Sequence, residues 1–467
     1  MRERTITISH EAVEAQRALA RDIKGRADAP KTYHITTYGC QMNAHDSEAV
    51  AGILHEMGMA REESQDQADL ILFNTCCIRD NAERRAMGNI IFTKEIKKQR
   101  PQALVGVLGC MVQQEGAAEK LREKQRHVDF ALGTGEIYRL PERVLFALEG
   151  RREAAFARGE DSTLYEGMPV LRKSPFMAYL TVMYGCDNFC SYCVVPSVRG
   201  RERSRRLQDI VGEAKGLVDD GVQEIMLLGQ NVNSYGLDSS GARFPELLRA
   251  LHEETGIKRL RFMTSNPKDL SDALIREMAE NPAVCPHLHL PAQSGSDRML
   301  KAMNRRYTRA MYDERLGALR AAMPDIGITT DLIVAFPGET EEDFEQTLDL
   351  VERARFDSAF TFIFSPRTGT VAARLPGRIT QPVARERITR LIKAQEAISQ
   401  EVFESLVGSE AQVLAEGPAK RGKGRLSGKT GRGMGITFEG GPELIGQIVP
   451  LKVRGYGSNT LKGDIIA

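Results

Sequence analysis

Between residues 31 and 148, short apolar runs alternate with longer stretches of helical period. Tyr33-His34-Ile35-Thr36-Thr37, Leu70-Ile71-Leu72-Phe73 and Leu104-Val105-Gly106-Val107-Leu108 predict buried strands, and segments such as 46–57 between them predict helices. This alternation predicts an α/β fold, an open parallel sheet with crossover helices. The pattern resumes near residue 176, with predicted strands at 178–183, 224–228, 259–263, 287–290, 328–334 and 359–364. Predicted helices at 207–219, 245–254, 269–280, 309–323 and 341–353 fall between them, and six such units predict a partial TIM-like (β/α)6 barrel. Beyond residue 406, short β-like runs at 411–415, 435–438 and 445–453 are divided by Gly440-Gly441-Pro442 and Gly455-Tyr456-Gly457, which predicts a small all-β barrel.

These shifts set the expected organisation. It comprises a tail at 1–30, a first α/β domain at 31–148, a linker at 149–171, a barrel core at 172–405 and a C-terminal β domain at 406–467. The tail holds one helical stretch, broken by Gly25 and Pro30, and its acids Glu3, Glu11, Glu14 and Asp22 speak against a targeting peptide. A formal charge of +1 over 467 residues favours no partner by itself, so any nucleic-acid surface must be local. No apolar run approaches the roughly 20 residues of a membrane span. The expectation is a cytoplasmic protein, monomeric and without a membrane partner, whose eight cysteines remain thiols or metal ligands in a reducing compartment.

The densest chemistry lies in Tyr184-Gly185-Cys186-Asp187-Asn188-Phe189-Cys190-Ser191-Tyr192-Cys193. Cys186, Cys190 and Cys193 can each hold a different iron of a four-iron, four-sulfur cluster and leave the fourth iron open. A structural zinc would want four closed ligands, and the nearest histidine, His252, is distant in sequence. The Cys-x3-Cys-x2-Cys spacing, with Tyr192 before the last cysteine, resembles the radical S-adenosylmethionine (SAM) superfamily. That resemblance implies that the open iron is chelated by the methionine part of SAM.

A second set of cysteines follows the first three predicted strands: Cys40 after Tyr38-Gly39, Cys76 after Asn74-Thr75 and Cys110 after Gly109. Ligands of open parallel sheets gather outside the carboxyl ends of the strands, where these cysteines would meet as a second cluster site rather than as core residues. Cys77 breaks the symmetry and is expected to point elsewhere as a bystander. No role is assigned to Cys285. The later strand ends are small and polar, and together they form a bed for an adenosyl cofactor in which Gly229, Gln230, Asn231, Ser265, Gln293, Ser294 and Asp331 are the candidate contacts. His287 and His289 alternate on one strand and are read as core or rim residues.

Two basic stretches are candidate RNA contacts. One follows the cysteine triad, with Arg199, Arg201, Arg203 and Arg205; the other opens the C-terminal domain, with Lys420, Arg421, Lys423, Arg425, Lys429 and Arg432. For both, a solvated or unstructured charge run is the competing interpretation.

With these features in place the chain resembles the methylthiotransferase family, and within it the tRNA-modifying branch that makes 2-methylthio-N6-dimethylallyladenosine. The matching stretches are Tyr38-Gly39-Cys40-Gln41-Met42-Asn43, Asn74-Thr75-Cys76, Gly109-Cys110-Met111, the Cys186 loop through Arg206, 228–235, and Phe336-Pro337-Gly338-Glu339-Thr340, with a C-terminal segment similar to a TRAM domain. Ala335 departs from the family pattern, which has Gly before Phe-Pro-Gly-Glu-Thr. The resemblance implies two [4Fe–4S] clusters with distinct tasks. The cluster on Cys186, Cys190 and Cys193 would reduce SAM to a 5′-deoxyadenosyl radical that takes hydrogen from C2 of adenosine 37 in the tRNA anticodon loop. The cluster on Cys40, Cys76 and Cys110 would deliver a methylated sulfur whose methyl comes from a second SAM. An unactivated aromatic C–H bond independently calls for radical cofactor chemistry. An electron donor such as a flavodoxin or ferredoxin and a sulfur donor are implied partners. The alternatives are sister enzymes acting on a ribosomal-protein aspartate or on threonylcarbamoyl-adenosine, and, from another class, a non-enzymatic Fe–S electron carrier that binds RNA.

Overall fold

A computed structural model describes the chain except residues 1–5, 8, 78–79, 158–162, 165–166, 240, 423 and 467, and the side chains of 6, 7, 10, 80, 157, 163 and 164. The chain divides into two compact units. The first is made of 1–173, 184–187 and 193–203, the second of 174–183, 188–192 and 204–467.

The first unit is built on an all-parallel six-stranded sheet in the order Ala60–Arg61, Thr32–Thr37, Leu70–Thr75, Leu104–Gly109, Phe130–Leu132, Phe156–Ala157. Leu70–Thr75 and Leu104–Gly109 are buried at every position, which is why their sequences run apolar without alternation. Successive side chains serve opposite faces. Leu70, Leu72, Leu104 and Leu108 enter one core cluster and Ile71, Phe73, Val105 and Val107 another.

Two expectations change here. The stretch taken as a tail carries the helix His10–Gly25, capped by Ser9 Oγ accepting from the Ala12 amide at 3.1 Å, and it buries Ala20 and Ile23 in the sheet core. Part of the stretch taken as a linker, Phe156–Ala157, is the edge strand of the sheet. A two-residue strand is too short to show a period, so its sequence looked irregular.

In the second unit, Met177–Thr181, Glu224–Leu228 and Arg259–Phe262 form one parallel group, and His287–His289, Gly327–Val334 and Ser358–Ile363 another. A Leu260–Val284 bridge continues from the first group toward the second, giving the six parallel strands of a partial barrel. The 25-residue helix Gln381–Ser405 leads into a closed five-stranded barrel of Glu410–Pro418, Arg425–Thr430, Gly435–Glu439, Ile448–Tyr456 and Leu461–Ile465. Strand Arg425–Thr430 was hidden in the sequence because its inward positions are Leu426, the small Gly428 and Thr430, set among Lys and Arg.

The small barrel is fixed to the core by a buried charge cluster. Glu224 Oε2 accepts from Arg259 Nε and Arg261 Nε, both at 2.8 Å. The two guanidiniums then donate to the Gln412, Lys429, Thr430 and Gly431 carbonyls of the barrel. Burial opposes the Glu224 charge, but the two arginines hold its pKa below the ordinary carboxylate value. Desolvation, helped by the Arg261 charge, pushes the half-buried His287 down to about 3, so it stays neutral.

Candidate active site

In the first unit the sheet register brings the three strand-end cysteines together. Thr37 pairs with Asn74, Asn74 with Leu108, and Thr75 with Gly109, so Cys40, Cys76 and Cys110 leave adjacent strands at the same end. Gly39, at φ +111°, lets the first loop fold onto the second; a Cβ there would stand 2.6 Å from Cys76 Cβ. Cys40 stands at the N-cap of the 16-residue helix Gln41–Glu56, where desolvation pushes its thiol pKa up against the pull of the Arg199 charge.

One side chain joins these loops. Asn43 is fully buried, and its Nδ2 donates to the Tyr38 and Thr75 carbonyls, each at 2.9 Å. Its Oδ1 lies 3.7 Å from Cys40 Sγ and 3.8 Å from Cys110 Sγ, so the two sulfurs flank one atom. Cys77, expected to point away, instead hydrogen-bonds Cys110 and packs with it against Val194 and Val198. The Cys77 bond and the nearby Arg199 charge hold the Cys110 pKa below that of a free thiol.

All eight cysteines are free thiols. Among the described residues no three His, Cys, Asp or Glu side chains converge on a point where one ion would sit. Thiolates on different irons of a cubane stand farther apart than ligands of a single ion, so the flanking arrangement about Asn43 suits a cluster.

The triad loop contributes residues to both units. In the first, the Cys186 amide donates to the Gly200 carbonyl at 3.1 Å, and the Val195 amide donates to Cys193 Sγ at 3.4 Å. In the second, Asn304 Nδ2 donates to the Phe189 carbonyl at 2.8 Å, and Ser191 is bonded through its amide to the Met303 carbonyl and through Oγ to the Ala302 carbonyl. Arg305, half-buried, donates from Nη1 to Cys190 Sγ at 3.4 Å. Tyr192 meets Phe336 edge-on with centroids 6.4 Å apart. Sulfurs that receive N–H bonds in this way are suited to anionic ligand states.

The residues expected to contact a cofactor lie at strand ends of the second unit. Gln230 Oε1, Asn231 Oδ1 and Ser265 Oγ are buried without a hydrogen-bond partner, while Asn231 Nδ2 is held by Asp269 at 2.8 Å. Orphaned acceptors at neighbouring strand ends are the feature a polar cofactor would satisfy. Gly229 lies against Met183, and a Cβ there would come within 2.6 Å of Cγ. Gln293, at φ +66°, is held by its backbone to the carbonyl of Asp331 and the amide of Ile333. Asp331 lies 3.5 Å from His289 Nε2. Ser294 differs from expectation: its Oγ accepts from the Ser296 amide and meets Thr347 Oγ1, so it shapes the loop from within.

Most of the arginines expected to grip phosphate are engaged inside the protein. Arg199 donates to Asp46 Oδ2 at 2.6 Å and Asn43 Oδ1 at 3.1 Å, and Arg203 donates to the Arg199 carbonyl at 3.1 Å. Arg205 binds Glu213 and the Thr181 carbonyl, both at 2.7 Å. All three are buried, and a guanidinium so enclosed is not presented to a phosphate. Arg201 is exposed and pairs with Asp187 at 2.7 Å. In the barrel, Lys420, Arg421 and Lys429 are exposed, Arg425 is half-buried, and Lys423 lies outside the described residues. Arg432 pairs with Asp357 at 2.6 Å and donates to the Asp325 carbonyl, so it fastens the barrel to the core. Sequence reasoning missed Asn43, Asp46 and Arg305. Asn43 and Asp46 share a helix face one turn after Cys40, whereas Arg305 lies 115 residues from its cysteine and gives no local signal.

Comparison with known proteins agrees with this geometry. Residues 180–351 match the model of the Radical SAM superfamily, and residues 32–133 match a family described as uncharacterized protein family UPF0004. A protein of Alkaliphilus oremlandii, a tRNA-2-methylthio-N(6)-dimethylallyladenosine synthase, is 44% identical over 463 residues, covering 99% of this chain and 98% of the relative. One of the same name from Thermoanaerobacter sp. strain X514 is 45% identical over the same shares. Among solved structures, the radical S-adenosylmethionine methyltransferase TsrM of Kitasatospora setae superposes with a TM-score of 0.53 at 14% identity, covering 85% of this chain and 80% of that one, a likeness of fold.

Proposed function

The chain belongs to the tRNA-2-methylthio-N6-dimethylallyladenosine synthase family, and from this premise we propose that it methylthiolates C2 of N6-dimethylallyladenosine at position 37 of tRNA. Two [4Fe–4S] clusters and SAM, when bound, supply the radical that breaks the C2–H bond and the methylated sulfur that replaces the hydrogen.

The chain's own residues hold and orient. Cys186, Cys190 and Cys193 ligate the cluster that meets SAM; Cys40, Cys76 and Cys110 ligate the sulfur-bearing one. Each set is one thiolate short of four and leaves an iron for a non-protein ligand. Gln230, Asn231 and Ser265 carry the unsatisfied acceptors that bound SAM would pair with. Arg305 supplies a hydrogen bond to Cys190. Lys420 and Arg421 are exposed on the β-barrel, where they can neutralise tRNA phosphates. The reaction consumes electrons and a sulfur atom, so a one-electron donor and a sulfur donor are its required partners.

One observation carries this reading: the sulfurs of Cys40 and Cys110 flank the buried side chain of Asn43, which also binds the Thr75 carbonyl next to Cys76, so three strand-end loops about thirty residues apart meet at one point. A lone electron-transfer centre has no use for a second three-thiolate set. Nucleoside analysis of tRNA tests the substrate. A host lacking its own methylthiotransferase accumulates N6-dimethylallyladenosine, and this chain should convert it to the 2-methylthio form. Conversion only of threonylcarbamoyl-adenosine would overturn the assignment.

A further inference from the structure

We propose that Asn43 and Arg199 are the positioning residues of the strand-end cysteine set, fixing Cys40, Cys76 and Cys110 at the spacing a cluster requires. The inference rests on the reading that this set holds the second cluster, and it assigns work there to two residues that are not ligands.

Asn43 is 0% exposed, and both ends of its amide are engaged. Nδ2 reaches the carbonyls of Tyr38, two residues before Cys40, and of Thr75, immediately before Cys76. Oδ1 faces the Cys40 and Cys110 sulfurs. The Asn43 carbonyl accepts from Asn74 Nδ2 at 2.8 Å, and that same Nδ2 reaches Ser47 Oγ at 2.9 Å. A single residue thus fixes two of the three cysteine loops through the backbone and touches the third through its sulfur. An apolar side chain of the same size would leave the Tyr38 and Thr75 carbonyls without this donor.

Arg199 adds charge to this device. Its Nη2 donates to Asn43 Oδ1 at 3.1 Å and to Asp46 Oδ2 at 2.6 Å, with the arginine and aspartate side chains 6% and 10% exposed. Arg199 is thus a buried cation whose guanidinium meets the same Asn43 oxygen that the Cys40 and Cys110 sulfurs flank. Hydrogen bonds from outside the ligand shell orient metal ligands and tune the metal they hold. Arg199 also lies six residues beyond Cys193, on the short helix Val195–Arg199; Val198 of this helix and Val194 just before it pack with Cys110. The segment leaving the triad loop is therefore built into the strand-end cysteine site.

The test uses full-length protein reconstituted anaerobically with iron and sulfide. The parent, a Cys40→Ala/Cys76→Ala/Cys110→Ala variant, Asn43→Asp, Arg199→Lys and Arg199→Met are compared by iron and sulfide content and by the Mössbauer and EPR signatures of the clusters. The parent should hold about eight irons and the triple variant about four. Asn43→Asp and Arg199→Met should fall toward the triple variant, and Arg199→Lys should keep more iron with a shifted EPR signal. Asn43→Asp and Arg199→Met proteins that retain the parent's iron and its spectra would overturn the inference while leaving the two-cluster reading intact. A parent with about four irons, unchanged in the triple variant, would overturn that reading and the inference with it. Should Arg199→Met fail to fold, Asn43→Asp, equal in volume, decides alone.

Discussion

Arg305 Nη1 lies 3.4 Å from Cys190 Sγ, with its Nη2 anchored on the Pro291 carbonyl at 3.2 Å and its Nε on the Tyr307 hydroxyl at 3.1 Å. A cation donating to a ligand sulfur stabilises the more negative, reduced state of a cluster and so raises its potential. Arg305→Met should lower the midpoint potential of the triad cluster by on the order of 50 mV, the electrical equivalent of losing a charge-assisted hydrogen bond. Its iron content should hold, and Arg305→Lys should recover part of the shift. An EPR-monitored redox titration reads this directly; an unchanged potential would show the contact to be incidental.

The orphaned acceptors at the strand ends make a second prediction. Asn231→Leu and Ser265→Ala should each weaken SAM binding about 3- to 30-fold, the worth of one or two hydrogen bonds, with iron content unaltered. Ser294→Ala should act through loop stability, because its Oγ is already engaged by the protein. Equilibrium dialysis with reconstituted protein separates the two classes.

Ala335 occupies the left-handed region at φ +59°, and its amide donates to Glu339 Oε2 at 2.7 Å. This explains why the resembling family has glycine there: the left-handed conformation costs a residue with a Cβ about 1–2 kcal/mol. Ala335→Gly should therefore raise the thermal midpoint, by up to about 1 kcal/mol of stability after the added freedom of the unfolded chain is counted. Calorimetry of the two proteins checks the sign.

The basic residues of the barrel divide into two kinds. Lys420→Glu and Arg421→Glu should weaken tRNA binding and flatten its salt dependence, since each removes a phosphate contact. Arg432→Ala should leave that slope unchanged and instead loosen the barrel from the core by breaking the Asp357 pair. Titrations at several salt concentrations, alongside limited proteolysis after residue 405, distinguish the outcomes.

How much of this was legible follows from the range of each signal. The buried strands of the first sheet were readable because a parallel sheet covered on both faces needs continuous apolar runs, and the cysteines ending those runs were readable with them. Arg199, Arg203 and Arg205 were misjudged as a phosphate grip. A charge run gives no sign of its partners, and theirs are Asp46 and Asn43, the Arg199 carbonyl, and Glu213 and the Thr181 carbonyl. The contact of Cys77 with Cys110 crosses from one strand end to the next, 33 residues away, and no local pattern encodes it. The helical stretch near the N-terminus was readable, but its packing was not: among its described positions only Ala20 and Ile23 are deeply buried, and nothing local shows that they enter the core of the sheet.

Turnover in vitro is the most direct measurement of the central claim. Reduced, reconstituted protein is given SAM and tRNA bearing N6-dimethylallyladenosine, and the digested nucleosides are read by mass spectrometry together with 5′-deoxyadenosine. The parent should yield both 2-methylthio-N6-dimethylallyladenosine and 5′-deoxyadenosine, and Cys40→Ala should yield 5′-deoxyadenosine without the methylthio product. A Cys40→Ala protein that thiolates as well as the parent, or a parent that cleaves SAM and never modifies the tRNA, would contradict the account.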